Sequence, residues 1–381
     1  MIFYFLLLLP CFAFPKEIVC LSMIVKDEAR EITRCLDSVK PLIDFWVIVD
    51  VGSSDGTQEI IRNQLKDIPG ELHERSWKNF GDNRTEALLL AKDKGDYLLF
   101  MNGSEFLEFE SGFSWPLLTK DIYFIWQGTK DFSYRLPQLV KASLPLKWVG
   151  VAHEYLECST ECTSETLQNL RSCRSVSDGV ADSRRFWKNV RLLENGLKKD
   201  PENCRYAFYL AESYRDAGEK GKALECYQRR IKMGGWDEEV FWSLLQVASL
   251  LQALELPLSM VIEEYKQAHD FRPHRAEPLY YLAEIYNGQG KYRQAYELLK
   301  SRDKIFQPPE KDLLFNQDWI ENYGLLFQLS ICSYYIGKYK ESLDACDRLL
   351  AIEDLPEFFR KKTEENRTFP LSKIKITAPI Q

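Results

Sequence analysis

Several acidic side chains in the first third of the chain stand where they could hold a polyphosphate through a cation or accept hydrogen bonds from a nucleoside. The densest run is Val47-Ile48-Val49-Asp50-Val51-Gly52-Ser53-Ser54-Asp55-Gly56-Thr57. Asp50 closes an apolar stretch, and a carboxylate at the end of a parallel strand sits where α/β sheets bind ligands. There it can accept hydrogen bonds from a base or a ribose. The glycines and serines permit a tight turn, and Asp55 can cap the helix that follows. Asp27 and Glu28 follow an earlier apolar run, Ile18 to Val25. Arg84 offers a guanidinium fork that could form a surface ion pair with an acid such as Glu86. Phe100-Met101-Asn102-Gly103-Ser104-Glu105 follows a third apolar run and brings one carboxylate, one amide and one hydroxyl. Finally, His153-Glu154 ends the segment Trp148 to Leu156. A His beside a Glu suits acid/base work or metal ligation, or is a satisfied strand-end pair with neither role.

The elements around these residues alternate. Ile18 to Val25, Phe45 to Val49 and Tyr97 to Met101 read as short buried strands. Between them, Asp27 to Val39 carries a helical period, and Thr57 to Leu65 and Asp82 to Lys92 read as helices. That spacing is expected of βαβ units on a mostly parallel, Rossmann-like sheet. Ile122 to Glu154 reads as further strands, and residues 157–183 as a polar linker or loop. From Arg184 nearly everything reads as helix.

The helical region repeats. Tyr209-Leu210-Ala211-Glu212, Tyr281-Leu282-Ala283-Glu284 and Gln328-Leu329-Ser330-Ile331 align, and a Gly follows each at the same distance: Gly218, Gly290 and Gly337. A small residue comes next in register: Ala223, Ala295 and Ser342. Helix, Gly turn, helix with small residues at the crossing is the pattern of tetratricopeptide (TPR) hairpins. A degenerate hairpin is expected over Glu238 to Asp270. The domain division is therefore 1–16 as a hydrophobic leader, 17–156 as an α/β domain, 157–183 as linker, 184–352 as helical repeats and 353–381 as a tail.

Composition narrows the partners. The net charge is -7 and no long basic run occurs, so nucleic acid is not expected. Of the ten Cys, Cys20, Cys35, Cys204, Cys226, Cys332 and Cys346 read as small buried hydrophobes. Cys158, Cys162 and Cys173 cluster in a polar stretch, without a nearby His or further Cys to complete a four-ligand set, and are expected to be free thiols. Met1 to Phe14 is apolar apart from Pro10. It has the length of a signal-peptide core but lacks a basic leader, which leaves open a secretory signal, a membrane contact or a hydrophobic extension packed on the domain. A cytoplasmic and a membrane-associated location both stay open.

Three segments in order resemble the opening of family 2 glycosyltransferases, which have the GT-A fold: Ser22-Met23-Ile24-Val25-Lys26-Asp27-Glu28, Cys35-Leu36-Asp37-Ser38-Val39, and the string from Asp50 to Thr57. Trp77, Phe80, Asn83-Arg84 and Ala87-Leu88 extend the likeness, as do Trp148 to Leu156 and Gly234-Gly235-Trp236-Asp237 among the helices. The last two are similar to transferases that join a GT-A domain to TPR repeats. The resemblance implies a nucleotide-sugar donor bound by Asp27, Glu28, Asp50, Asp55, Arg84 and Asn102. It implies a divalent metal, Mn or Mg, at Glu105 and His153, and inverting transfer with Glu154 as base and Asp178 as its alternative. A protein or peptide acceptor would lie at the repeats. The family's Asp-Xaa-Asp metal motif, however, reads here Asn102-Gly103-Ser104. Hard divalent ions prefer anionic oxygens, so any metal site is expected to be weak. Three readings follow: an active transferase, a catalytically degenerate scaffold that binds a partner through its helices, and a TPR adaptor with an unrelated front half.

Overall fold

The computed structural model describes residues 16–129, 131–174, 183–301 and 312–377. The apolar leader and Asp178 lie outside these residues. The described residues gather into two compact units, each considered by itself. The first holds residues 16–125, 137–149 and 155–174; the second holds 126–136, 150–154 and the helices from 183 onward.

In the α/β unit the first apolar run forms β1 (Val19–Val25), buried along its whole length. The chain then turns into α1 (Ile32–Val39), which buries Ile32, Cys35, Leu36 and Val39 as the helical period requires. Next come β2 (Phe45–Asp50), α2 (Thr57–Gln64), β3 (Gly70–Glu74), α3 (Phe80–Ala91) and β4 (Tyr97–Phe100). Asn79 starts α3 by accepting a hydrogen bond from the Asp82 amide. The remaining strands are β5 (Glu105–Phe109), β6 (Ile122–Gly128), β7 (Ser133–Lys141), β8 (Leu146–Val149), β9 (Tyr155–Cys158) and β10 (Ser164–Arg174).

The main sheet has eight strands in the order β3-β2-β1-β4-β7-β6-β10-β5, while β8 and β9 form a separate hairpin. The expected parallel sheet occupies one half: β1 pairs in parallel with β2 and β4, and β2 with β3. The other half includes antiparallel pairs, β4 with β7 and β5 with β10. Strands β1, β2 and β4 bury both faces. Leu21, Met23 and Ile48 pack with α1 residues in one core, and Cys20, Val47 and Leu98 pack with Leu88 and Ala91 of α3 in another. Two covered faces explain why these strands read as unbroken apolar runs.

Two boundaries differ from the sequence reading. Residues 157–183 are not simply a linker, because β9 ends within them and β10 pairs with β5 from Leu170 to Arg174. Strand β10 is mostly polar and buries only Leu167, Leu170 and Ser172, so it carries no apolar run to betray it. Residues 126–136 and 150–154 group with the helices rather than with the α/β unit.

The helical unit runs α4 (Ser183–Lys199), α5 (Cys204–Asp216), α6 (Lys220–Met233), α7 (Asp237–Ala253), α8 (Leu258–Phe271), α9 (Glu277–Gly288), α10 (Tyr292–Ser301), α11 (Leu325–Tyr335), α12 (Tyr339–Leu350) and α13 (Glu357–Thr377). Neighbours in sequence pack on one another, and α7 with α8 supplies the degenerate hairpin. Gly218, Gly290 and Gly337 close their turns at φ of 82°, 72° and 82°, a left-handed conformation that glycine adopts without strain. Ala223, Ala295 and Ser342 are buried at the crossings, where a larger side chain would hold the helices apart. The tail expected from residue 353 is mostly the helix α13.

Candidate functional site

The carboxyl ends of β1, β2 and β4 carry the acidic loops into one region. Asp27 leaves β1 with a left-handed φ of 53°. Its Oδ1 accepts from the Ser54 amide at 2.8 Å, and its own amide donates to Ser53 Oγ at 2.9 Å. Asp55 Oδ2 accepts from the Ala29 amide at 2.9 Å, and its Oδ1 accepts from Thr57 Oγ1 at 2.6 Å. Desolvation works to raise the Asp55 pKa, but the hydrogen bonds from Thr57 and the Ala29 amide hold it below the usual range. Both side chains therefore clamp the β1–α1 loop to the β2–α2 loop. The Glu28 amide donates to Thr57 Oγ1 at 2.8 Å, and the Glu28 side chain lies against Gly103, where a Cβ would stand 2.8 Å from its Cγ.

Asp50 is 1% exposed. Its Oδ1 accepts from the amides of Gly52 and Ser53, each at 2.8 Å. Its Oδ2 is buried with no hydrogen-bond partner among the described residues. An unpaired buried carboxylate oxygen is uncommon and marks a place where a donor would be favourable.

After β4 the chain turns tightly, and here side chains satisfy one another. Arg84 of α3 donates through Nη2 to Asn102 Oδ1, with its guanidinium carbon 5.2 Å from the Trp148 ring centroid. Asn102 Nδ2 donates to Glu105 Oε1 at 2.7 Å, and the Asn102 amide donates to Glu105 Oε2 at 3.2 Å. Arg174 Nη2 stands 3.4 Å from Glu105 Oε1. Glu105 is thus buried between an amide and a cation. Among the described residues, no group of three or more His, Cys, Asp or Glu side chains is placed to hold a metal ion. Arg174 escaped the sequence reading because its strand passed for a linker. Trp148 was named from sequence as part of the segment Trp148 to Leu156, but its place beside Arg84 of α3 was not foreseen.

His153 and Glu154 group with the helical unit, whereas Glu105 belongs to the α/β unit. The His153 ring stacks on Tyr209 of α5 with centroids 4.2 Å apart and ring planes nearly parallel. Its backbone oxygen accepts from Arg205 Nε at 2.9 Å, and its Nε2 is 3.3 Å from Asn189 Nδ2. Stacking and a backbone anchor hold this His in place. Gly150, at φ 124°, lets the chain double back, since a Cβ there would stand 3.1 Å from Glu154 Cα.

Among the repeats expected to offer an acceptor groove, one face of α5 and α7 is covered by the chain itself. The Phe132 ring lies 6.3 Å from Trp242 and 5.7 Å from Phe315, and Phe315 stacks on Phe208 at 6.4 Å. Ser133 and Asn316 exchange backbone hydrogen bonds of 2.9 and 2.7 Å. An open groove of about 520 Å³ does occur in the α/β unit, lined by Lys78, Thr85, Glu86, Leu89, Lys147 and Trp148 among others. None of the donor, metal or catalytic residues expected from sequence lines it, although Glu86 and Trp148 do.

No protein-family model matches the chain. A TPR repeat-containing protein of Synechococcus elongatus is 24% identical over 311 residues, covering 73% of this chain and 73% of its own. The helical region is only about half of the chain, so a match of that extent also takes in part of the α/β unit. Among solved structures, YrrB, described as a TPR protein with an unusual peptide-binding site, is similar with 10% identity and a TM-score of 0.34 over 50% of this chain and 84% of its own. The MamA protein is similar with 16% identity and a TM-score of 0.32 over 52% of this chain and 90% of its own. Superpositions that loose carry no argument about this chain. The helical repeats themselves, and the relative that bears the TPR name, characterise the second unit as TPR-like.

Proposed function

We propose that this protein is a helical-repeat scaffold that binds a protein partner, and that its α/β unit is a GT-A-like fold that no longer runs metal-dependent sugar transfer. The chain of contacts from Arg84 through Asn102 and Glu105 to Arg174 carries this reading. The resemblance puts a divalent cation on the donor diphosphate at this position, and such ions need anionic oxygens. Asn102 and Ser104 offer neutral ones. Both oxygens of Glu105 already accept from Asn102, and a guanidinium stands beside them. These residues do not fit the metal.

Since the face of α5 and α7 is covered, the partner is expected at the turn from α7 to α8. There Leu254, Leu256, Leu258 and Met260 are each more than one-third exposed within seven residues. A cluster of apolar side chains facing solvent favours a protein contact. The test is affinity capture by the full chain from its own cells, followed by mass spectrometry. Leu256→Asp with Met260→Asp should lose the captured protein, whereas Asp50→Ala should retain it. Equal capture by both variants contradicts the assignment of this turn.

A second reading keeps one specific observation in its favour. The orphaned Asp50 Oδ2 is where the resemblance places the donor's nucleoside. Under that reading the protein is a glycosyltransferase acting on a nucleotide sugar and a protein or peptide acceptor. Asn102→Asp with Ser104→Asp should then raise donor hydrolysis in the presence of Mn.

A further inference from the structure

Cys158 and Cys162 are brought together by the turn that joins β9 to β10. Cys158 ends β9, and its Sγ lies 3.0 Å from Cys162 Sγ, about 1 Å longer than a disulfide bond. Both residues are partly exposed. The far side of the turn is held as well: Thr163 donates to Asp121 Oδ2 through its amide at 2.9 Å and its hydroxyl at 2.7 Å. The two sulfurs are therefore positioned by a strand end on one side and a side-chain clamp on the other.

We infer that Cys158 and Cys162 form a redox-active dithiol that closes to an intramolecular disulfide on exposure to a small disulfide such as oxidised glutathione. Cys158 is the attacking group. Desolvation works against its thiolate, but hydrogen bonds from the Cys162 thiol and from Thr160 outweigh it and lower the pKa. The Cys162 thiol is held above its ordinary value, by desolvation first and by Cys158 second. This asymmetry separates a nucleophile from a resolving thiol. In the first step the Cys158 thiolate bonds to one glutathione sulfur, the glutathione disulfide breaks, and one glutathione thiolate leaves. In the second, Cys162 loses its proton and its thiolate attacks Cys158 Sγ, expelling the second glutathione. The protein dithiol gives up two electrons and two protons, and one oxidised glutathione becomes two reduced molecules.

The experiment is differential alkylation of the full chain. Reduced protein is incubated with oxidised glutathione, blocked with N-ethylmaleimide and digested with trypsin. Cleavage at Lys147 and Arg171 leaves both cysteines on one peptide and Cys173 on another. The expected result is a 148–171 peptide lighter by two hydrogens, with both alkylation sites lost. Cys162→Ser should stop the reaction at a glutathione adduct on Cys158, and Cys158→Ser should leave Cys162 alkylated. Alkylation of both cysteines after oxidation overturns the proposal, as does a peptide cross-linked to Cys173. The wild-type result decides by itself if either variant fails to fold.

Discussion

Asp50 gives one carboxylate oxygen to two backbone amides and buries the other without a partner. Asp50→Ala should leave the Gly52 and Ser53 amides without an acceptor and lower stability by about 1–3 kcal/mol, read as a fall in the urea midpoint. A second charge matters to the helical unit. Desolvation works to raise the Asp312 pKa, but Arg272 and Arg275, at 2.5 and 2.9 Å, hold it well below the usual carboxylate range. A group depressed in the folded state contributes its stability above its unfolded pKa, about 3.9, and loses it as pH falls. Urea midpoints should drop between about pH 5 and pH 3, and drop less steeply in Asp312→Asn. The acids at strand ends were legible in the sequence because they follow apolar runs. Their individual roles were not. Asp27 and Asp55, named as donor ligands, are engaged by loop amides, and only geometry separates them from Asp50.

Elements were legible where burial is two-sided. The apolar runs of β1, β2 and β4 and the helical period of α1 needed no structure to find. Strands β3 and β10 were missed because neither carries an apolar run or a regular alternation. Strand β3 is nevertheless tightly fixed, since a Cβ on Gly70 would stand 2.2 Å from the Trp46 ring. Gly70→Ala should therefore cost about 1–3 kcal/mol through overpacking. Gly218→Ala meets open space but sits at φ 82°. Its cost should be smaller, about 1 kcal/mol of backbone strain. Thermal denaturation of the two variants side by side checks the order. The Gly turns and small crossing residues of the repeats were readable from spacing alone, because close helix approach leaves little choice of residue.

At the scale of the whole molecule, the two-part organisation was readable from the switch between short apolar runs and repeated hairpins. The segments 126–136 and 150–154 were not, since grouping with distant helices leaves no periodic trace in a hairpin tip. The central claim is that the α/β unit has exchanged a cation site for a closed network of Arg, Asn and Glu. Isothermal titration of the full chain with a panel of nucleotide sugars, with and without Mn, tests it most directly. The account predicts no Mn-dependent binding, and no change in the heats when Glu105→Gln replaces the wild type. Tight Mn-dependent binding of a nucleotide sugar that is lost in Glu105→Gln would contradict it.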